Sequence, residues 1–369
     1  MAQTNKRRLK RQLVAADIIH RIQSKEWRVG TKIPSIDELV PMYPYSRMTI
    51  FKAVDQLVTD GYLEVRRGVG TFVISDRVAG LIALVIGEEV LHPQQTPFAF
   101  LLSQHLQHFY ERLGFRVKLY IEAKGPVSEA IIPADFKTDL AAGRLSGLLT
   151  VSCDTGLVLD ECTIWNQHPI PHVDMTAHSL DVPQVLFDLS HAVDIFLLYA
   201  RQIHCKKIGV IMGSEGLLER LREGCTAFDM ETRPEWQCWR PHYDSLYEKS
   251  GYELMRELLS VDEQPDIILV ADDIGCKGAV QACLKRGLDI PGDVRLVTVA
   301  NRGSDIFYPV DMPQIEFDLD DIAKRLGNLL LDCMNAPNVR PESVTVRPTL
   351  RVPPAYGDKR KGGDVRSTG

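Results

Sequence analysis

Apolar residues recur at Leu9, Leu13, Ala16, Ile19 and Ile22, and this spacing predicts a helix over 9–24 with one inward face. Gly30 and Pro34 then interrupt the pattern. Ser35-Ile36-Asp37-Glu38 has the form of a capping box: a serine oxygen serves the free amides, and a glutamate three residues on reaches back. It opens a short helix through Leu39, stopped near Pro41 and Pro44. Ser46 is placed to cap the next helix, in which Ile50, Ala53, Val54 and Leu57 form an inward stripe and Gly61 marks the end. Tyr62 to Val65 and Thr71 to Ile74 predict a pair of strands over a Gly-x-Gly tip, Gly68 to Gly70. Beyond a short polar link, Ser75 to Gly80, the pattern changes. Leu81–Ile86, Val117–Ile121, Leu148–Val151, Ile208–Met212, Ile267–Val270 and Leu296–Val299 are short runs rich in Val, Ile and Leu, which suits strands covered on both faces. Helical stretches lie between them, among them Phe98–Leu113, Ala192–Ile203, Ser250–Leu259 and Ile274–Arg286. Strand–helix alternation of this kind implies parallel sheets with right-handed crossovers, and its length implies two lobes.

Charge separates the two parts. Residues 1–78 hold 14 Lys/Arg against 8 Asp/Glu, a net +6, while the remainder carries −12 within a total of −6 over 369 residues. A cationic first fifth on an anionic body directs only the first part toward phosphate. The eight cysteines form no Cys-x-x-Cys pair and stand beside no zinc-like His spacing, so buried thiols in a reducing cytoplasm are expected. The start of the chain has no apolar core of a signal peptide, and no apolar run approaches the ~18–20 residues that span a bilayer. A cytoplasmic protein without a membrane partner is expected, with a disordered tail over 358–369.

Arg47 falls in the first turn of the second helix of a helix-turn-helix, and that turn also exposes Met48, Thr49, Phe51 and Lys52. Such residues reach base edges, and an arginine fork can grip a guanine or a phosphate. Arg66 and Arg67 flank the hairpin tip, where Gly68 permits close backbone approach. A span of about 65 residues that closes at Val73 closely resembles the GntR-family winged helix. The shared elements are Gly30 to Ser35, Glu38-Leu39, Ser46-Arg47-Met48-Thr49, Leu57 to Gly61 and Gly68 to Val73. The resemblance implies contacts to double-stranded operator DNA from Arg47, Thr49, Arg67 and Gly68, with Ser35, Ser46, Met48, Phe51, Lys52 and Arg66 beside them. Two positions depart from the family. Asp37 stands where a basic or polar residue usually faces phosphate; it would repel phosphate unless paired, with Lys32 or Arg11 as candidate partners. Phe51 stands where arginine is frequent. It could touch a thymine methyl, although packing against Tyr45 or Trp27 is the favoured expectation.

The second part has none of the phosphate loops, dinucleotide fingerprints, zinc-protease or serine-elbow motifs of common enzymes. His168-Pro169-Ile170-Pro171-His172 predicts an extended loop rather than a metal site, and no cofactor is expected. The order of features over 81–357 resembles the sugar-sensing domain of the LacI/GalR family, which has the fold of periplasmic sugar-binding proteins. The elements are Thr96-Pro97-Phe98, Gly114 to Val117, Gly147-Leu148-Leu149, Ile170 to Asp174, Asp188, Val270 to Ala279, Ile290 to Val294 and Arg347 to Arg351. A GntR-type head on such a body is the arrangement of the arabinose-responsive repressor subclass.

The resemblance implies a ligand in the cleft between two lobes. Asp273 matches the hydroxyl-binding acid, with a helix N-cap as its alternative role. Phe98 is the expected stacking ring, with core packing as its alternative. Asn301 and Glu88 follow strand ends. Arg220 or Arg222 would supply the ligand arginine through a shifted turn, since Leu221 occupies the usual position three before Gly224. Trp236 and Trp239 could line the cleft, with a structural role favoured. The expected fold is therefore α/β, an N-terminal winged helix-turn-helix (1–76) joined through 77–80 to a two-lobed periplasmic-binding-protein-like domain (81–357). The expected function is a homodimeric transcriptional regulator, a repressor in the first instance, controlled by a small carbohydrate. A purine or sugar-phosphate effector, an activator, and a sugar-processing enzyme with a DNA-binding head remain the alternatives.

Overall fold

The computed structural model describes residues 2–59, 61–75, 80–88, 97–124, 130–159, 162–175, 181–240, 247–304, 306–336 and 339–354. The expected tail over 358–369 and most of the link at 77–80 lie outside them. The chain divides into two units, Met1–Ile82 with Tyr110–Val117, and Ala83–Phe109 with Lys118–Gly369.

In the first unit, α1 (Ala2–Gln23), α2 (Ile36–Leu39) and α3 (Arg47–Thr59) precede an antiparallel hairpin of β1 (Leu63–Arg66) and β2 (Gly70–Val73). The expected stripe of α3 is in the core: Ile50, Ala53 and Leu57 are fully buried and Val54 nearly so. On α1 the stripe is borne out at Ile22, fully buried, and Ile19, packed against the core, but Val14 and Ile18 are also fully buried and Leu13 is 53 % exposed. Both faces of that helix carry apolar residues, so spacing alone left the choice of stripe open. The ladder starts at Leu63, one residue later than expected, and Tyr62 packs in the core while its carbonyl accepts from the Ile74 amide at 2.9 Å. Lys32 bridges to Phe72, and the Gly30 amide donates to the Val73 carbonyl, so the 30–33 segment adds a third short strand to the wing.

Two large sheets and a two-stranded pair lie almost entirely in the second unit. The first has the order β5-β4-β3-β6-β7, with β3 (Leu81–Gly87), β4 (Arg116–Lys124), β5 (Ala130–Ile131), β6 (Leu145–Val151) and β7 (His172–Met175). Its helices are α4 (Phe98–Glu111), α5 (Ala134–Ala141), α6 (Thr155–Val158) and α7 (Thr163–Gln167). After β8 (Val185–Phe187) the chain enters the second lobe through α8 (Leu189–Gln202), β9 (Ile208–Ile211), α9 (Glu215–Ala227), β10 (Gln237–Cys238) and α10 (Tyr247–Leu258). That lobe continues with β11 (Ile267–Val270), α11 (Asp273–Lys285), β12 (Arg295–Arg302) and β13 (Gln314–Asp318). The chain then returns through α12 (Leu319–Asn335), which packs on β6 and β7 of the first sheet. It ends in β14 (Val344–Val346), paired with β8, and β15 (Thr349–Arg351), an antiparallel edge strand of the second sheet. The second sheet has the order β10-β9-β11-β12-β13-β15 and is parallel up to β13.

The six apolar runs named from sequence all fall in strands of these sheets, and the fold expected from them is the fold observed. Ile267–Val270 is buried at every residue, as a strand covered on both faces requires. The chain passes between the lobes at β8, at the start of α12 and before β15, so both lobes can carry residues of one site. Two ion pairs flank these passages, Arg347 with Asp188 at 3.2 Å and Arg302 with Asp318 at 2.9 Å; Arg340 pairs with Asp181 ahead of β14 and β8.

Candidate functional site

Two surfaces concentrate the residues singled out from sequence, one on each unit. On the first, Ser46 opens α3. Its carbonyl accepts from the Ile50 amide at 3.2 Å, and its hydroxyl lies 2.9 Å from that of Thr49. The capping box at Ser35 is complete, with the Ser35 amide donating to Glu38 at 2.7 Å. Both residues fix helix starts, and in doing so they set where the next side chains point. Met48 is 62 % exposed, and Arg47 and Lys52 are exposed beside it.

Phe51 corrects the packing expectation. It is 50 % exposed, while Tyr45 and Trp27 turn toward the core. The stripe Ile50–Val54–Leu57 fixes the helix phase and leaves position 51 on the outer side. Asp37 departs from expectation in its partner. Neither Lys32 nor Arg11 pairs with it; Arg47 does, Nε donating to Oδ1 at 2.8 Å. The guanidinium holds the Asp37 carboxyl below the ordinary carboxylate range.

On the hairpin, Gly68 turns the tip with φ 72°. Arg66 donates to Glu64 at 2.8 Å and lies 4.4 Å over the Phe72 ring, so its charge is partly answered within the wing. Arg67 is exposed and makes no ion pair among the described residues. Lys32, expected as a partner for Asp37, lies against the tip instead: a Cβ at Gly70 would stand 2.2 Å from its Cε. Its bridge to Phe72 is a long-range pairing that local pattern does not reveal. Lys10 sits 5.8 Å over the Tyr45 ring, immediately before Ser46.

The second surface lies at the ends of β11 and β12. Asp272 caps α11 by accepting from the Gly275 amide at 2.5 Å, so the capping role considered for Asp273 belongs to its neighbour. Asp273 is 3 % exposed; its Oδ1 accepts from the Ile274 amide at 2.9 Å and its Oδ2 from Asn301 at 3.2 Å. Asp273 and Asn301 are thus brought together as expected of residues on neighbouring strand ends. The Tyr308 hydroxyl donates to the Asp273 carbonyl at 2.8 Å. Burial, and then the adjacent Asp273 charge, push the Asp272 carboxyl well above its ordinary range. A cluster with carboxylate acceptors, an amide and a phenol suits the paired donors and acceptors of a polyol. Tyr308 was not anticipated, because no periodic element leads to it. Phe307 beside it is 80 % exposed.

The remaining candidates lie elsewhere. Phe98 is 7 % exposed, its ring 5.8 Å from that of Phe187, which in turn lies 4.6 Å from Phe317. Glu88 is exposed and accepts from the Lys124 amide at 3.3 Å. The shifted turn expected for α9 is absent: the helix is continuous over Glu215–Ala227, and Leu221 is fully buried. Gly224 lies against α8, where a Cβ would come within 2.3 Å of Leu197. That phase leaves Arg220 paired with Asp194 of α8 and Arg222 donating to Gln237 at 2.9 Å, and neither reaches Asp273. Trp236 is fully buried and donates to the Glu263 carbonyl at 2.8 Å, a structural role. His172 is a β7 residue, not part of a loop, 2.8 Å from the Thr150 hydroxyl. Among the described residues no cluster of His, Cys, Asp or Glu is arranged to hold a metal. Glu122, fully buried, accepts from the Asp154 amide at 3.0 Å and was not anticipated, since a lone acid in an apolar strand gives no motif.

Known proteins share both parts. Residues 10–73 match the model of bacterial regulatory proteins of the gntR family, and residues 202–352 match that of the periplasmic binding protein-like domain. The HTH-type transcriptional repressor PurR of Actinobacillus pleuropneumoniae serotype 3 (strain JL03) is 27 % identical over 158 residues, covering 39 % of this chain and 44 % of that protein. The repressor of the same name from Escherichia coli O1:K1 / APEC is 29 % identical over 102 residues, covering 28 % and 30 %. The chain therefore spans less than half the length of these curated relatives. Among solved structures, the transcriptional regulator CelR in complex with cellobiose superposes with a TM-score of 0.60 at 19 % identity, covering 84 % of this chain and 90 % of that one. The lac repressor dimer bound to operator and the anti-inducer ONPF gives 0.57 at 17 % identity, over 73 % and 92 %. Among the described residues no helix is long and apolar enough to cross a membrane.

Proposed function

We propose that this protein is a transcriptional regulator that binds double-stranded operator DNA through a winged-helix domain (1–76) and a small carbohydrate through a two-lobed domain (81–357). The observation that carries the reading is the exposed, cation-bearing start of α3, with Arg47 and Lys52, on the same small domain as the Arg67 wing tip. Relatives described as HTH-type transcriptional repressors support repression as the sign of regulation. The cellobiose complex among the structural neighbours supports a carbohydrate effector. The combination of gntR-type head and periplasmic-binding-protein-like body suits an arabinose-responsive repressor, which makes a pentose the first effector to try. A homodimer in the cytoplasm suits a regulator of a pseudo-palindromic site.

Asp273, Asn301 and Tyr308 form the polar side of the effector site, and Phe307 offers an open aromatic face. DNA and effector each favour one conformational ensemble, so each changes the other's affinity by the same factor. The test is a thermal-shift panel of pentoses, hexoses, disaccharides, purines and sugar phosphates on the full chain. A sugar at ~100 times its dissociation constant stabilises by about 2.7 kcal/mol. Asp273→Ala is expected to abolish that shift while leaving DNA affinity unchanged. A purine or sugar phosphate that alone shifts the melt would replace the carbohydrate in this reading.

A further inference from the structure

We infer that Asp37 is a positioning residue that commits Arg47 to a guanine base and away from the phosphate backbone. The inference rests on the DNA-binding reading above and adds what Arg47 reads. The Asp37 side chain stands on α2 and the Arg47 side chain on α3, two helices whose starts are fixed independently by Ser35 and Ser46. Their contact therefore joins two rigid helix ends, and neither side chain is buried: they are 76 % and 66 % exposed. The bond uses Nε, the inner nitrogen of the guanidinium, at 2.8 Å. The two terminal nitrogens make no other hydrogen bond among the described residues. An arginine held at Nε presents its outer pair of N–H groups as a fixed fork, and that fork matches the N7 and O6 acceptors on the major-groove edge of guanine.

The carboxylate also decides against the alternative. A phosphate that approached the same fork would sit beside the Asp37 charge, whereas a guanine edge presents two neutral acceptors. The pair thus lowers the affinity of this arginine for backbone and leaves its affinity for a base. It also reduces the side-chain freedom that a long, exposed arginine loses on binding. The rest of the surface divides the work: Arg67 has no such partner and is left for phosphate. Position 51, where a second arginine is frequent among similar proteins, is an exposed phenylalanine here. Arg47 is then the arginine of this helix on which guanine discrimination rests.

The test is a selection of random-sequence duplexes at fixed salt by the full-length wild type, Asp37→Asn, Asp37→Glu and Arg47→Ala, followed by titration of the selected and an unrelated duplex over a range of salt. Asp37→Asn keeps the size of an exposed side chain outside the capping box, and its melting curve serves as a folding check. The wild type is expected to enrich a half-site with a guanine that Arg47→Ala no longer requires. Asp37→Asn should lose roughly tenfold of the preference at that one base pair. It should also bind the unrelated duplex more tightly and with a salt slope steeper by about one phosphate contact. Asp37→Glu should retain the guanine preference. An unchanged guanine preference in Asp37→Asn would overturn the inference while leaving the winged-helix reading intact. Failure of the wild type to enrich any sequence would overturn that reading and the inference together.

Discussion

Arg66 and Arg67 are neighbours in sequence with different surroundings. Glu64 and the Phe72 ring engage Arg66, while Arg67 has no ion pair among the described residues. Arg67→Ala should therefore weaken DNA binding more than Arg66→Ala does, and uniformly across sequences. Its salt slope should fall by about one contact; equal slopes for the two variants in a salt titration would contradict the assignment. A second residue reports on stability. Asp139 is nearly buried, and burial alone would raise its carboxyl, but bonds from Lys118, Tyr120 and Arg144 outweigh that and hold it at about 2. The folded value lies below the unfolded one, so the stabilisation is present above pH ~4 and is lost as pH falls toward 2. It amounts to about 2 kcal/mol at neutral pH. Urea titrations should show Asp139→Asn flattening the fall in stability between pH 4 and 2. An unaltered slope would mean that the cluster does not couple to folding. Much of the residue-scale site was legible: Arg47, Asp273 and Asn301 sit at helix or strand ends that local pattern locates. What pairs with what was not, because Asp37 with Arg47 and Lys32 with the wing are contacts across elements.

The elements followed from periodicity wherever one face is distinctly apolar. The α3 stripe and the six strand cores emerge directly from the spacing of Ile, Val and Leu. Where apolar residues occupy several faces, as on α1, spacing located Ile19 and Ile22 but not Val14 and Ile18. The α9 turn was misjudged for a related reason: a family pattern placed an arginine at a position where this helix needs Leu221 for its core. Close helix contacts are equally silent in a local reading. Gly251 on α10 and Gly278 on α11 let those helices touch. A Cβ at Gly251 would lie 2.0 Å from the Gly275 carbonyl oxygen, and one at Gly278 1.8 Å from that of Glu248. Backbone on the far side cannot yield as a side chain would. Gly251→Ala should thus destabilise by roughly 1–3 kcal/mol or more through overpacking, although alanine is the better helix former. A chemical-denaturation midpoint equal to or above that of the wild type would contradict this tight contact.

At the scale of the whole molecule, charge and architecture agree. The cationic first part and the anionic remainder separate opposite charge along one chain. The two-lobed fold joins its lobes by passages at β8, α12 and β15. The two ion pairs at those passages involve exposed arginines, so lobe closure should be sensitive to salt. On the proposed function, a small molecule bound at Asp273 and Asn301 sets DNA affinity. The most direct test of this link is an anisotropy titration of the selected duplex with the full-length protein at fixed salt, with and without the sugar that raises its melting temperature. The account predicts a change in affinity of about 5-fold or more, as typical coupling energies give, and no change for Asp273→Ala. Superimposable wild-type isotherms at saturating sugar would contradict it.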